Sequence, residues 1–392
     1  MRVLVAHSAR GAIGGIESYL RGVAPRLAER GHAVALVFER RVEEEAAAPD
    51  PYAACAAEWC VEELGAAETA AAARAWGPER VWVHGLESRE LEARLLALAP
   101  AARFVHNYDG CCATGEKFRR WPRPAPCARR MGAACAAINF THHCGRLRPA
   151  GFTAAWERQR ARAADFGRYR QLQAASQHMQ AELRRQAGSA VPVALLPYPL
   201  AEARAAEPAP RPGPPRRVLM LARLTAGKGG AHLLRALAAA EAGLGRRLEA
   251  TIAGDGPERP RLERLARELG LDARFPGWVD AAARRRLLQE ADLLAMPSLW
   301  PEPFGLAGLE AAARAVPAVA YAVGGIPDWL TAGESGELAP GAPPTVAGLA
   351  QALIRALADT ERWNRQRRQA WTRSASFGLE AHLDALEAAL DA

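Results

Sequence analysis

Two glutamates separated by seven residues stand in the run Glu302-Pro303-Phe304-Gly305-Leu306-Ala307-Gly308-Leu309-Glu310. The apolar stretch Leu293 to Met296 and the pair Pro297-Ser298 precede it, which predicts a strand, a loop and then a helix. In a parallel sheet, ligands gather beyond the carboxyl ends of the strands. A loop-to-helix junction there offers unpaired backbone N–H groups and the positive end of the helix dipole to an anionic or hydroxyl-rich ligand. Gly305 lets the backbone approach closely. Glu302 falls in the loop and Glu310 about two turns along the helix, so both can face one cleft. The plain alternative is two solvated glutamates at a helix start. The Pro-Phe-Gly between them argues against it.

Arg223 and Lys228 flank a glycine-containing loop directly after a predicted strand, Val218 to Ala222. Two fixed cations at that place would clamp a diphosphate and stabilise the charge that grows as it leaves. Lysine occurs only at Lys117 and Lys228, in a chain with 51 lysines and arginines together. Its use at 228 points to a need for a compact ammonium. The alternative is a pair of solvated loop cations. Three smaller signals lie at predicted strand ends. Gly254-Asp255-Gly256-Pro257 is a tight turn. Phe275-Pro276-Gly277-Trp278-Val279 can present backbone groups to a nucleobase, and Gly324-Gly325-Ile326-Pro327 repeats the strand-glycine-helix arrangement. Each alone is ordinary turn chemistry, and their shared position makes one cleft the simpler account.

The elements that must hold these residues follow from periodicity. Val3 to Ala6 reads as a buried strand, Gly11, Gly14 and Gly15 as a loop. Ile16, Leu20, Val23, Ala24 and Leu27 recur at helical spacing, and Ala33 to Phe38 is the next strand. Further strands are predicted at Arg80 to His84, Arg103 to His106, Leu172 to Ala175 and Val193 to Leu196. The proline-dense stretch Ala205 to Pro215 suits a semi-rigid connector. After it the alternation restarts, with strands at Val218 to Ala222 and Leu248 to Ala253 and near Phe275, Leu293 and Val319. Helices are predicted near His232 to Leu244 and over Arg259 to Leu269. Such strand-helix repeats predict parallel sheets covered by helices on both faces. A chain of 392 residues, half of them hydrophobic, supplies two cores. The expected domains are 1–204 and 205–376, and 377–392 reads as one amphipathic helix. From Tyr108 to about Ala150 the rhythm breaks in a stretch rich in Arg, Pro, Cys and Gly, read as a functional insertion on the N-terminal domain.

The run from Arg223 through Pro327 resembles the donor domain of the family 4 glycosyltransferases, retaining enzymes of the GT-B fold. Gly14-Gly15-Ile16-Glu17 resembles that family's acceptor-domain loop. The resemblance covers most of the chain and implies an α/β architecture of two Rossmann-like doubly wound domains facing a central cleft, with the C-terminal helix crossing back to the N-terminal domain. It implies that a sugar passes from a nucleotide-diphosphate sugar, UDP- or GDP-linked, to an acceptor sugar, a lipid-linked sugar or another glycan precursor. Arg223 and Lys228 would hold the diphosphate, with Gly15 and its neighbour Gly14 on the other side. Glu310 would bind the ribose and Glu302 the transferred sugar, beside the backbone of Phe304, Gly305 and Leu306. His106 aligns with the family's strand-end histidine near the reacting centre. The implied catalytic residues are thus His106, Glu302, Arg223 and Lys228, and Gly254, Gly277 and Val279 complete the expected donor site. Front-face attack is implied in place of a carboxylate nucleophile. The family often has Gly at Ala315, Glu at Asp328, and Asn-Gly where this chain has Pro197-Tyr198-Pro199. Another nucleotide-sugar enzyme on the same architecture, an epimerase or a hydrolase, is the alternative.

No Asp-x-Asp triplet occurs, so no catalytic metal is expected and the two cations would replace it. Cys112, Cys127, Cys135 and Cys144, with Cys111, His142 and His143 nearby, read either as a structural zinc staple or as reduced structural cysteines, with disulfides a third choice. Cys55 and Cys60 read as plain helix residues. Met1-Arg2 leads into a strand and not a signal peptide, and no run approaches the roughly 18–20 apolar residues of a membrane span. A cytoplasmic protein with reduced thiols is expected. The formal charge of +8 favours anionic partners. Arg146, Arg148, Arg158, Arg160, Arg162, Arg168, Arg170, Arg184 and Arg185 outnumber the nearby carboxylates, as an amphipathic basic surface for an anionic membrane or a phosphate-linked acceptor, or as a solvated arginine-rich helix. No nucleic acid is expected, since stacking aromatics are not interleaved with the arginines. A dehydrogenase is disfavoured because Gly11-Ala12-Ile13-Gly14-Gly15 is not Gly-x-Gly-x-x-Gly.

Overall fold

Val3 to Ala6 and Val34 to Phe38 are buried without alternation, the pattern of parallel strands covered on both faces. The computed structural model describes residues 1–11, 14–42, 50–145, 147–200 and 202–391. In chain order its first strands are β1 (Arg2–Arg10), β2 (Ala33–Arg41), β3 (Ala57–Cys60), β4 (Arg80–Val83) and β5 (Ala101–Val105). The short β6 (Phe118–Arg119) and β7 (Ala125–Pro126) follow, then β8 (Gln171–Ala174) and β9 (Val193–Leu195). Seven of them form a parallel sheet in the order β3-β2-β1-β4-β5-β8-β9, while β6 and β7 pair antiparallel by themselves. Next come β10 (Arg217–Leu221), β11 (Glu249–Ala253), β12 (Asp272–Gly277), β13 (Leu293–Met296), β14 (Ala318–Tyr321) and β15 (Gly336–Ala339). They make a second parallel sheet, β12-β11-β10-β13-β14-β15.

One compact unit comprises Met1–Gly115, Ala150–Ala201 and Gly378–Ala392, the other Glu116–Pro149 and Glu202–Phe377. The Cys- and Arg-rich insertion, expected on the N-terminal domain, therefore groups with the second unit over Glu116–Pro149. The final helix, Leu379–Asp391, belongs to the first unit. It buries Leu383, Leu386 and Leu390. Arg30 faces three of its carboxylates, Glu380 at 2.5 Å, Asp384 at 2.7 Å and Glu387 at 3.1 Å.

Two expectations fail locally. Cys60 lies in a strand, not a helix, and Cys55 in the turn region before it. The alanine-rich surroundings favour a helix by propensity, but pairing of Ala57 to Cys60 with β2 overrides it. Glu58 fixes this edge strand through Arg10 at 2.8 Å and Arg41 at 2.5 Å.

Ala315 takes φ +57°, just beyond the helix Leu306–Ala312. Its N–H bonds Ala312 O at 2.9 Å and the next N–H, Val316, bonds Ala311 O at 2.9 Å. That is a left-handed helix stop, where a side chain costs about 1–2 kcal/mol. Ala315→Gly is expected to stabilise the chain by about 0.5–1 kcal/mol after the greater chain entropy of glycine is set against the relieved strain. A thermal melt should rise by roughly 1–4 °C; a lower melting temperature would contradict this reading of the strain.

Candidate active site

Each sheet has one place where consecutive strand order reverses, and there ligands are held in open α/β sheets. In the second unit that place is between β10 and β13. The loop after β10 carries Arg223 and the 3-10 turn Ala226–Lys228, and the loop after β13 carries Ser298, Trp300 and Glu302. The two loops are bound to one another. Leu299 N donates to Gly227 O at 2.8 Å. Gly229, at φ +71°, lies so close to Pro297 that a Cβ would overlap the proline carbonyl oxygen. Gly324, at φ +59°, would likewise collide with Glu302 O, and Gly325 N donates to that oxygen at 2.7 Å. Glycine is required where three loops pack backbone to backbone.

Glu302 is buried, 5% exposed, and one of its oxygens, Oε1, takes three donors. Lys228 Nζ is at 2.6 Å, Ser298 Oγ at 2.5 Å and Trp300 Nε1 at 3.0 Å. The ammonium also lies 5.1 Å from the centre of the Trp300 ring, within cation–π range. A buried carboxylate needs such pairing. Lys228 and Glu302, assigned to different parts of a ligand by sequence, are in direct contact. Arg223 is exposed, and its guanidinium makes no hydrogen bond or ion pair among the described residues. It is a cation without a counter-charge beside a neutralised pair.

The neighbouring signals converge. Gly254 packs against Ala222 and donates to Gly277 O at 2.7 Å, so the turns after β10, β11 and β12 adjoin. Val279 follows Gly277 and is half-buried, while Trp278 between them is 72% exposed. Gly305 stands at φ +97° before Leu306, the first residue of its helix. The Phe304 carbonyl is engaged by Trp329 Nε1 at 2.7 Å, and its ring packs edge-on to Phe377. Glu310 pairs with Arg284 at 2.5 Å, and burial raises its carboxyl above the ordinary range. A ribose hydroxyl at Glu310 would share it with Arg284, a partner 26 residues away that no local pattern announces.

In the first unit the order reverses between β1 and β4, and three histidines end neighbouring strands. His7 is on β1, and His84 and His106 follow β4 and β5 directly. His7 Nδ1 donates to His84 O at 2.7 Å, and its Nε2 lies 3.1 Å from Glu17 Oε1. Burial pushes the Glu17 carboxyl up, but the His7 hydrogen bond and backbone N–H groups hold it below the ordinary value. Glu17 sits in the first turn of the helix Gly15–Glu29, whose N-cap is Gly14. The His7–Glu17 contact thus anchors the expected glycine loop to the sheet.

His106 is buried, with both ring nitrogens occupied. Nε2 meets His84 Nδ1 at 2.8 Å and Nδ1 meets the Tyr198 hydroxyl. His84 Nε2 is buried without a partner among the described residues. An orphan lone pair costs less than an orphan N–H, so the arrangement that satisfies the chain has His84 donating to His106 and His106 donating to Tyr198. Burial first, then the His7 and Arg103 charges, keep His106 neutral, well below the usual histidine value. Sequence reasoning placed His106 at a strand end. It missed the enclosing His84 and Tyr198, and it missed Ser298 and Trp300, whose only signal is their place in the loop before Glu302.

Among the described residues no three His, Cys, Asp or Glu side chains come together as a set that would hold a metal. Cys112 lies in the first unit and Cys127, Cys135 and Cys144 in the second. The arginine-rich helix, Pro149–Ala164, is not a one-faced basic surface. Arg162 is buried and donates to Leu86 O at 2.7 Å, and further along Arg168 pairs with Asp165 and Arg185 with Glu182. Arg146, Ala12 and Ile13 lie outside the described residues.

Residues 203–373 match the family model of glycosyl transferases group 1. Over 128 residues the chain is 38% identical to a glycogen synthase of Mycobacterium tuberculosis, covering 32% of this chain and 30% of that one. Over 144 residues it is 37% identical to the GDP-mannose-dependent alpha-(1-6)-phosphatidylinositol dimannoside mannosyltransferase of the same species, covering 36% of each. The chain thus spans about a third of the length of these relatives. The Anabaena protein HepE, solved in complex with UDP-glucose, superposes with a TM-score of 0.67 at 17% identity, over 100% of this chain and 99% of that one. Two parallel-sheet α/β domains with these neighbours are the GT-B fold. The match to the group 1 glycosyl transferase model lies within the second of them.

Proposed function

We propose that this chain is a retaining glycosyltransferase that takes a sugar from a nucleoside diphosphate and needs no catalytic metal. The observation that carries the reading is the Lys228–Glu302 pair beside the unpaired Arg223 guanidinium, at the order reversal of the sheet in the matched domain. Arg223 and Lys228 hold the diphosphate. Glu302 accepts from a hydroxyl of the transferred sugar, with the Gly305–Leu306 backbone beside it, and Glu310 takes the ribose. Gly254, Gly277 and Val279 line the base. The first unit binds the acceptor. His106, kept neutral chiefly by burial and hydrogen-bonded to His84 and Tyr198, is the strand-end group near the acceptor. In the transfer the bond between the anomeric carbon and the β-phosphate oxygen breaks, and the acceptor oxygen bonds that carbon on the same face. The acceptor proton goes to the departing phosphate, whose new charge the two cations stabilise. The relatives include a GDP-mannose-dependent enzyme and HepE was solved with UDP-glucose, which supports a UDP- or GDP-linked donor. A glycan or lipid-linked precursor is the acceptor class, and the product belongs to cell-surface polysaccharide, glycolipid or glycoconjugate synthesis. No helix among the described residues is long and apolar enough to cross a membrane.

The test is release of nucleoside diphosphate from a panel of UDP- and GDP-sugars, with and without candidate acceptors, in EDTA. Release that rises with acceptor and persists in EDTA is expected. Acceptor-independent release would indicate a hydrolase, and loss in EDTA restored by magnesium or manganese would overturn the metal-free reading.

A further inference from the structure

The segment Glu116–Pro149 holds seven arginines and one lysine against a single glutamate, a formal +7 within a chain of +8. The other 358 residues are close to neutral. Some surface arginines face carboxylates, as Arg30 faces Glu380, Asp384 and Glu387, and within the segment Arg120 pairs with Glu116. Here Arg123, Arg129 and Arg148 are exposed and make no ion pair among the described residues. Among the described residues the same segment carries half of the large exposed apolar side chains: Trp121 at 57%, Leu147 at 48% and Phe140 at 39%. Trp121 is held in place, since its N–H donates to His142 O at 3.1 Å and its ring stacks on His143. A tryptophan left in water on an ordered loop, among unmatched arginines, has no folding rationale.

We propose that this segment docks the protein on an anionic lipid surface. Aromatic and aliphatic side chains interleaved with arginine make up segments that lie in a membrane interface. Each basic residue near an anionic leaflet adds favourable energy within a Debye length. The net charge supplies long-range attraction and Trp121, Phe140 and Leu147 the insertion. A nucleic-acid surface would instead present a row of aromatics along a basic groove. This inference does not depend on the catalytic reading, and it places the membrane contact on Glu116–Pro149, which shares only Arg146 and Arg148 with the basic stretch expected over Arg146 to Arg185.

The experiment is co-sedimentation of the full chain with phosphatidylcholine vesicles, with and without phosphatidylglycerol. Binding is expected only with phosphatidylglycerol and is lost at high salt. Arg123→Glu with Arg148→Glu should weaken it at least about tenfold, while Arg158→Glu with Arg160→Glu should leave it near the parent value. Quenching of tryptophan emission by brominated lipid should diminish in Trp121→Phe. Unchanged melting temperatures show that the variants fold. The proposal is overturned if the parent ignores phosphatidylglycerol vesicles, if the first double variant binds like the parent, if the second loses binding instead, or if single-stranded RNA binds more tightly than the vesicles.

Discussion

Lys228→Ala is expected to slow glycosyl transfer about a hundredfold, roughly 3 kcal/mol, and to weaken nucleoside diphosphate binding. As the glycosidic bond breaks, charge grows on the diphosphate, and a fixed ammonium stabilises that state more than the ground state. Contact with Glu302 Oε1 at 2.6 Å adds a second consequence. The ammonium is already committed to Glu302, so a phosphate must share it or draw it away. Glu302→Gln should therefore bind the free nucleoside diphosphate a few-fold more tightly than the parent while transfer falls. Ser298 and Trp300 can still reach the amide oxygen, but its claim on Lys228 is weaker and its negative charge is gone. The Lys228→Ala, Glu302→Gln double variant should not show the sum of the single effects, because the residues touch. Calorimetric titration with UDP and GDP and steady-state rates decide the matter. Weaker nucleotide binding by Glu302→Gln, or strict additivity, would mean that the pair does not act as one unit.

The parts of this site that lie in one short stretch were legible without coordinates. Glu302, Gly305 and Glu310 fall in nine residues, and strand, glycine and helix follow from local pattern. The parts joined across the fold were not. Lys228 and Glu302 are 74 residues apart and meet because β10 and β13 are neighbours, an order that no local pattern specifies. His106 was legible as a strand-end histidine, yet its burial comes from His84 and Tyr198, 22 and 92 residues away. Strand β3 was missed because its alanines read as helix while its structure comes from β2. The insertion was recognised by its broken rhythm, but its grouping with the second unit depends on tertiary contacts alone. The final helix was placed on the first domain through the family resemblance. What fixes it there is Arg30 and His382, one matched to carboxylates and the other buried.

Acidification from pH 6.5 toward pH 4 is expected to destabilise the first unit steeply. His382, on the final helix, lies between Tyr19 and Pro197. Its Nδ1 donates to Pro197 O at 2.7 Å, so its Nε2 accepts from the Tyr19 hydroxyl at 2.8 Å. Acceptance from Tyr19 requires the neutral ring, and burial, opposed by the bond to Pro197 O, pushes its pKa down to about 4. His84 and His106 are also held neutral, chiefly by burial. Between pH 4 and 6.5 the unfolded chain binds protons that the folded state refuses, so stability falls as pH falls through this window. For His382 alone the loss approaches about 3 kcal/mol. Glu17, with its depressed carboxyl, acts in the same direction at lower pH, whereas the raised carboxyl of Glu310 acts oppositely in the second unit. The readout must therefore report on the first unit: hydrogen exchange of the helix Leu379–Asp391 should accelerate progressively below pH 6.5, after correction for the intrinsic rate. His382→Gln does not titrate, and its amide can donate to Pro197 O and accept from Tyr19. Its exchange should depend less on pH than that of the parent. If the parent helix is as protected at pH 4.5 as at pH 7, the buried histidines do not hold this unit in the way their hydrogen bonds indicate.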